Sequence, residues 1–245
     1  MKWSLILFVV AFAYSCLAQN ERSGPVQTPV LSADSEIVLS DMAPSAFRTI
    51  IDTALDNAIP IGITLDPKHR LCDAVMNVGR KREKLSSFIS EVNSAVPGYR
   101  SEFRNGVLRV HPIDPSTPTQ SFLDLRIPEF HSGSDTHRGL GVNLWMFIRA
   151  EIAPGQGTGF VGGSAPVREI VPGIDTKGET VQTILDRIVR KGRGAAWILD
   201  ASKLRDLSKN TPRPYEIFAY SENAQALRHL ECSTGSAHIE NTSPE

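Results

Sequence analysis

The chain has 245 residues, and its 26 basic and 27 acidic side chains leave a formal net charge of −1. Nucleic-acid-binding domains normally carry a basic excess or a basic stripe, so this balance argues against a nucleic-acid partner. At about 100 to 200 residues per domain, the length suits one large domain or two small ones.

The N-terminus has the order of features that is typical of an export signal. Lys2 precedes an unbroken apolar run that begins at Leu5, and small residues follow at Cys16 and Ala18. The run is shorter than the roughly 20 apolar residues that a membrane-spanning helix needs. We therefore expect a signal peptide over residues 1–18 and a periplasmic or secreted mature protein without a transmembrane segment. A lipoprotein anchored through Cys16 is the alternative.

Two cysteines remain once the signal is removed, Cys72 and Cys232. In an oxidising compartment they are a candidate disulfide, which would tie the C-terminal tail to the first half of the chain. Two unpaired thiols are the alternative, because the sequence does not supply the distance between the two α-carbons.

Regular structure is predicted from residue 37 onward, after a flexible lead-in over residues 19–36. A short strand, IVL, precedes a helix over Ala43–Asn57, in which apolar residues recur at the spacing of one helical face. IPIGITLD alternates as a half-buried strand does, and LCDAVMNVGRK is predicted as another strand. A helix over KLSSFISEVNSAV then leads into YRSEFR and GVLRVH, two strands that Asn105-Gly106 joins in a tight hairpin.

The proline-rich stretch 113–120 is predicted as a linker between a first unit, 37–112, and a second unit, 121–222. The second unit's predicted elements are FLDLRIPEF as a strand, a helix over Leu140–Ile152, VREIVPGID as a strand, TVQTILDRIVRKG as a helix, and AAWILDA and YEIFAYS as strands. Both units share the order β-α-β-β-α-β-β. We therefore predict an α+β fold of two tandem two-layer domains, each with two helices packed on a short mixed sheet. The tail, 223–245, is expected to be disordered.

The GYR segment, the Asn105-Gly106 turn and VLRV carry a likeness to a known family, and ETVQTILDRIVRKGRGAAWIL repeats the helix-then-strand phrase in the second unit. In these features the first unit resembles the short N-terminal domain of secretins and TonB-dependent receptors. The resemblance implies a periplasmic module that docks onto other envelope proteins through sheet edges and helices. The shared motifs are packing and turn signals, so the resemblance supplies no functional residue, no cofactor and no pore role.

Two features are candidates for contact with a ligand or partner. Gly157, Gly159 and Phe160 lie in GQGTGFVGG, which lacks the Lys and Ser/Thr of a phosphate-binding loop. We therefore predict a mobile loop that orders on a partner. Trp145 and Trp197 are either a ligand platform or core aromatics, and the second role is usual for tryptophans at helix and strand spacing.

No constellation of residues indicates an enzyme. His131, Asp135 and His137 lie close in sequence, but zinc sites need three or four ligands with supporting partners, and a solvated loop is the preferred interpretation. His69 precedes Cys72 by three positions, yet no third group that would orient a catalytic pair can be named. The patterns GxSxG, HExxH and CxxC do not occur. We predict no catalytic, metal-binding or cofactor-binding residues.

The leading functional hypothesis is an exported, non-enzymatic module that recruits envelope proteins by strand addition or by helix-face contact. The alternative is a periplasmic small-ligand-binding protein that uses a cleft between the two units, with Trp145 and the glycine-rich loop beside it. A divergent hydrolase that uses His69 and Cys72 is a third hypothesis.

Overall fold

The computed structural model describes residues 31–39, 45–68, 71–76, 79, 81–152, 169–204 and 213–220. Its helices are α1 (Ala46–Asp56), α2 (Leu85–Ala95), α3 (Thr117–Asp124), α4 (His137–Ile152) and α5 (Val181–Val189). The strands are β1 (Glu36–Val38), β2 (Ile61–Leu65), β3 (Arg82–Lys84), β4 (Tyr99–Arg104), β5 (Val107–Pro112), β6 (Arg126–Ser132), β7 (Ile174–Thr180), β8 (Ala195–Asp200) and β9 (Tyr215–Ala219).

Five of these strands form one central sheet in the order β4-β5-β2-β8-β9. The central strand β2 runs parallel to both neighbours, and its Gly62 lies opposite Arg109 of β5 and opposite Trp197 of β8. The outer strands β4 and β9 pair antiparallel with β5 and β8. Two further sheets, β1-β3 and β6-β7, are antiparallel pairs.

Helices cover both faces of the central sheet, so the fold has three layers. One face carries Ile61, Ile63 and Val110, whose side chains form a core with α1 and α2. We name it the α2 face. The opposite face carries Val107 and Trp197, whose side chains form a second core with α3, α4 and α5. We name it the α5 face.

The predicted α+β class is confirmed. The strands do not, however, form one separate sheet for each predicted unit. Strand β2 belongs to the predicted first unit and pairs with β8 of the second. The reason lies in β2 itself, where Gly62 and Thr64 are buried as well as Ile61 and Ile63. A strand that is buried on both faces requires helices on both sides of its sheet. Strands of the two predicted units therefore share one sheet.

Four segments fold differently from the prediction. FLDLRIPEF begins at the end of α3 and is a strand, β6, only from Arg126 onward, and of the described residues of VREIVPGID only Ile174 and Asp175 lie in a strand, β7. The described residues of LCDAVMNVGRK form a turn and irregular structure, and their apolar character is explained by Leu71 and Met76, which are buried in the core of the α2 face. The predicted linker contains the first turn of α3, where Pro118 occupies a position at which proline is tolerated. Phe122 and Leu123 hold that helix against the core of the α5 face.

The predicted hairpin β4-β5 is confirmed, and its free edge is covered. Asn105 and Gly106 both have positive φ, 52° and 78°, as a two-residue hairpin turn requires. On the outer edge of β4, the Asn93 side chain of α2 accepts a hydrogen bond from the Ser101 N–H at 2.6 Å and donates one to the Ser101 carbonyl at 3.1 Å. The Tyr99 N–H donates to the Val96 carbonyl. These contacts occupy groups with which another strand would otherwise pair.

Replacing Asn93 with alanine is expected to lower the free energy of unfolding by about 1–2 kcal/mol, because two hydrogen bonds to Ser101 are lost. The exposed edge is also expected to promote association at high protein concentration. Urea denaturation and sedimentation velocity measure the two effects. Ser94→Ala, at the next position of the same helix, is the matched control and is expected to change neither. Equal behaviour of the two variants would contradict the role of Asn93.

Several predictions concern residues outside the described ranges. Cys72 is disulfide-bonded, while Cys16 and Cys232 both lie outside the described residues, so the Cys72–Cys232 pairing stays a prediction. The predicted signal peptide, 1–18, and the predicted tail, 223–245, also lie outside them. Within the described ranges, no helix combines the length and the apolar character needed to cross a bilayer.

Candidate functional site: the polar half of the α5 face

The α5 face of the central sheet is apolar on one side and polar on the other. Helices α4 and α5 lie against β2, β8 and β9. On the hairpin β4-β5, the same face carries Arg100 opposite His111 and Glu102 opposite Arg109. Both Arg100 and Arg104 are exposed, and the hairpin therefore presents polar side chains beside the helices.

A buried ion pair marks the boundary between the two halves of this face. Asp186 of α5 is 3% exposed. Its carboxylate accepts hydrogen bonds from Arg109 Nε at 2.8 Å and from Trp197 Nε1 at 2.9 Å, and Arg109 Nη2 donates to it as well. Charge-assisted bonds of this kind are among the stronger ones in proteins. The pair joins a strand of the first half of the chain to a helix of the second.

The environment of Asp186 acts on its protonation in two opposing directions. Burial raises the pKa of its carboxyl because the charged form loses its solvation, while Arg109 and the Trp197 N–H favour the charged form. The net direction is a pKa above the ordinary value of 3.8. The carboxylate depends on Arg109 for its charge to be tolerated in this site.

Close packing around Trp197 requires a glycine on β2. The indole lies over Gly62, where an added Cβ would come within 2.2 Å of Trp197 Cε2. With the ring 1% exposed and bonded to Asp186, it has little freedom to move. Gly62 therefore provides the space in which the indole reaches the ion pair.

The tip of the hairpin is fixed to the end of α5 and is basic. Arg190 follows α5, and its Nη1 donates to the Asn105 carbonyl at 2.9 Å. Within the described ranges, Arg100, Arg104 and Arg190 form no salt bridge with a carboxylate. Burial lowers the pKa of the neighbouring Lys191, and the positive charges of Arg187 and Arg190 lower it further.

We define the hairpin face as Arg100, Glu102, Arg104 and His111 of β4-β5, together with Arg190 at the end of α5. Its guanidinium groups come from positions far apart in the chain, and they are held together by the hairpin turn and by the Arg190–Asn105 bond. Arg109 lies behind them, where it is paired with Asp186 and approaches Glu102 at 3.8 Å. Arg100, Arg104 and Arg190 are exposed, and the first two lie on a hairpin of the central sheet.

The tryptophans predicted as a platform or as core residues both lie in the core. Trp145 is 7% exposed and packs edge-on against Tyr215, with ring centroids 6.4 Å apart, and against Phe122. Its ring is therefore enclosed by other aromatic side chains. The other predicted contacts, Gly157, Gly159 and Phe160, lie outside the described residues.

The remaining candidates are separated by the fold. His131 on β6 bonds to the exposed Asp175, whereas the buried His137 has its Nε2 at 2.8 Å from the Lys191 carbonyl. Asp135 Oδ1 accepts a hydrogen bond from the Thr136 N–H. No group of three or more potential metal ligands occurs in the described part of the chain. Cys72 is disulfide-bonded and is not a free thiol, and His69 lies outside the described residues.

Sequence reasoning missed the hairpin face and the ion pair behind it. Arg109 lies in a predicted strand and Asp186 in a predicted helix, and nothing in either segment indicates that the two side chains pair. The run RKGR from Arg190 to Arg193 lies at the end of the predicted helix TVQTILDRIVRKG. No local pattern indicates that Arg104 and Arg190, which are far apart in the chain, are neighbours in the fold.

Comparison with known proteins identifies no relative. No protein-family model, no curated protein and no solved structure matches this chain. The resemblance to the short N-terminal domain of secretins and TonB-dependent receptors accordingly stays a prediction.

Proposed function

We propose that this protein is an exported, non-enzymatic interaction module whose hairpin face binds an acidic surface of an envelope protein. The observation that carries the proposal is the cluster of cationic side chains on that face, of which Arg100, Arg104 and Arg190 form no salt bridge within the described part of the chain. The export part of the proposal is supported by the signal-like order of residues 1–18.

Charge supports an acidic partner. The whole chain carries a net charge of −1, so the basic surface is a local excess and not a general property of the protein. Neighbouring positive charges repel one another, and a partner that supplies carboxylates relieves this repulsion and steers the encounter. The outermost guanidinium groups stay hydrated until the partner arrives, whereas Arg109 is already neutralised by Asp186.

At the hairpin, geometry supports contact through the face and not through the edge of β4. The edge of β4 is occupied by Asn93 and by the Val96 carbonyl. A partner strand would have to displace α2 before it paired there. The side chains of the hairpin face point away from that edge and are accessible without rearrangement, as a preformed interaction surface requires.

Site-directed photocrosslinking in intact envelopes tests the proposal. A photoreactive residue in place of Arg104 is expected to capture a defined envelope protein, and the same residue in place of Arg82, exposed on β3, is expected not to capture it. With the purified partner, the double variant Arg100→Glu, Arg104→Glu is expected to reduce affinity about tenfold or more, because attraction becomes repulsion. Arg82→Glu is the control for a change in net charge.

Salt and lipid controls separate the alternatives. Raising the salt concentration from about 0.05 to 0.5 M is expected to weaken the wild-type interaction and to have less effect on the double variant. A captured protein whose affinity is unchanged by the charge reversal would contradict the proposal. Binding to vesicles that contain phosphatidylglycerol, in place of any protein, would contradict it as well and would indicate a membrane-surface role.

A further inference from the structure

The carboxyl ends of three parallel strands, β5, β2 and β8, meet at one edge of the central sheet. After β2 the chain passes to the α2 face, where Leu71 and Met76 are buried in the core. After β5 it passes to the α5 face, where Phe122 and Leu123 are buried. Adjacent parallel strands whose connections leave toward opposite faces form a crevice between them, and open sheets bind ligands at such points.

Two buried oxygens without partners lie at this edge. Thr64 Oγ1 and Asp66 Oδ2 have no hydrogen-bond partner within the described part of the chain, and the two residues are 1% and 5% exposed. Thr64 is on β2, and Asp66 follows the strand directly. Buried polar groups in native proteins normally have partners. Two such oxygens, two positions apart at the same edge, are able to accept hydrogen bonds from a bound group.

Asp66 is held in one orientation by the contacts it does make. Its backbone N–H donates to the Tyr99 hydroxyl at 3.0 Å, and its Oδ1 accepts from the Lys68 N–H at 2.8 Å. Burial raises the pKa of Tyr99 to about 12, so its hydroxyl keeps its proton across the physiological range. Oδ2 has no partner within the described part of the chain, and these contacts fix the orientation in which it could receive a donor.

We propose that the crevice between the carboxyl ends of β2 and β5 binds a small organic ammonium ligand, whose N–H groups donate to Asp66 Oδ2 and Thr64 Oγ1. A carboxylate oxygen only accepts hydrogen bonds, and a cationic donor also offsets a negative charge that is costly to bury alone. Two oxygens are too few for a hard metal ion, which takes about six ligands. Ile113, 59% exposed where β5 ends, offers an apolar contact for the ligand's carbon atoms.

Ethanolamine and ethylene glycol are matched probes, because ethanolamine has an ammonium group where ethylene glycol has a second hydroxyl. With the full-length oxidised protein, ethanolamine is expected to raise the melting temperature in a saturable manner, and ethylene glycol is expected to have no such effect. Backbone amide shifts caused by ethanolamine are expected to concentrate at residues 64–66 and at His111 and Ile113. Because both oxygens are covered in this structure, the edge must open for entry, and we expect association well below the diffusion limit.

Variants at the two oxygens complete the test. Asp66→Asn is expected to weaken ethanolamine binding about tenfold or more, and Thr64→Val about fivefold. Asp114→Asn, the same charge change at an exposed position near this edge, is the control and is expected to bind normally. Equal binding of ethylene glycol, unchanged binding by Asp66→Asn, or shifts confined to other residues would overturn the proposal. If Asp66→Asn does not fold, Thr64→Val and the shift map decide.

Discussion

Replacing Arg109 with methionine is expected to lower the free energy of unfolding by about 3–5 kcal/mol, because it leaves a buried carboxylate without its cation. Of the donors that Asp186 has among the described residues, the Trp197 N–H would remain. Urea denaturation followed by circular dichroism measures the loss. Glu102→Gln removes only the outer, partly exposed contact of Arg109 at 3.8 Å, and is the matched control with an expected loss below about 1 kcal/mol.

The loss of stability in Arg109→Met is expected to change with pH in one direction. The folded-state pKa of Asp186 lies above its ordinary value, so folding favours the protonated form of this carboxyl. Its contribution to the free energy of unfolding is therefore complete at low pH and declines as pH rises through the folded-state pKa. Without Arg109 the pKa of Asp186 rises further. The deficit of Arg109→Met is therefore expected to be smaller at about pH 4 than at about pH 7. A deficit that grows on acidification would contradict this account of the pair.

A double variant separates the ion pair from simple packing. In Arg109→Met, Asp186→Leu, no charge is left buried, so this protein is expected to be more stable than Arg109→Met alone. Trp197 then lacks its acceptor, which limits the recovery. If the loss in the double variant equals the sum of the losses in Arg109→Met and in Asp186→Leu, the two residues act independently.

Gly62→Ala is expected to destabilise the fold by about 3 kcal/mol, because the new Cβ would overlap the Trp197 indole at 2.2 Å. The ring cannot withdraw without breaking its bond to Asp186, and backbone movement would disturb both neighbours of β2. Gly79→Ala is the control, since an added Cβ there meets nothing within 4 Å. Chemical denaturation and tryptophan fluorescence measure the loss and the displacement of the indole.

A smaller residue at position 197 tests the cause of this loss. In a Trp197→Leu background the space above Gly62 is open, so Gly62→Ala is expected to cost less than in the wild type. Double-mutant analysis measures that coupling. A full loss in both backgrounds would place the cause in the backbone of β2 and not in the indole.

Local pattern was sufficient for the elements whose signals lie within a few residues. The apolar spacing of TVQTILDRIVRKG predicted α5, and Asn105-Gly106 predicted the turn between β4 and β5. The alternation of Ile61, Ile63 and Leu65 predicted a half-buried strand. It could not show that Gly62 and Thr64 are also buried, because the helix and the indole that cover them are far away in the sequence.

The candidate sites depend still more on distant contacts. Arg104 and Arg190 are ordinary surface residues in their own segments, and they become neighbours only because the turn at Asn105 meets the end of α5. Thr64 and Asp66 likewise carry no motif. Their interest arises from missing partners, which no sequence pattern reports. The overall composition shows nearly equal numbers of basic and acidic residues, and this balance does not reveal the local cationic surface.

The position of β2 governs the order in which the protein can fold. Leu65 pairs with Asp200, so the middle strand has no neighbour on one side until most of the chain is available. Contacts this distant in sequence form slowly. A chain cut before β8 would leave β2 as an open edge and the space over Gly62 unfilled, a condition that favours aggregation. In refolding experiments, the full chain is expected to fold cooperatively, and a fragment that ends before Ala195 is expected not to.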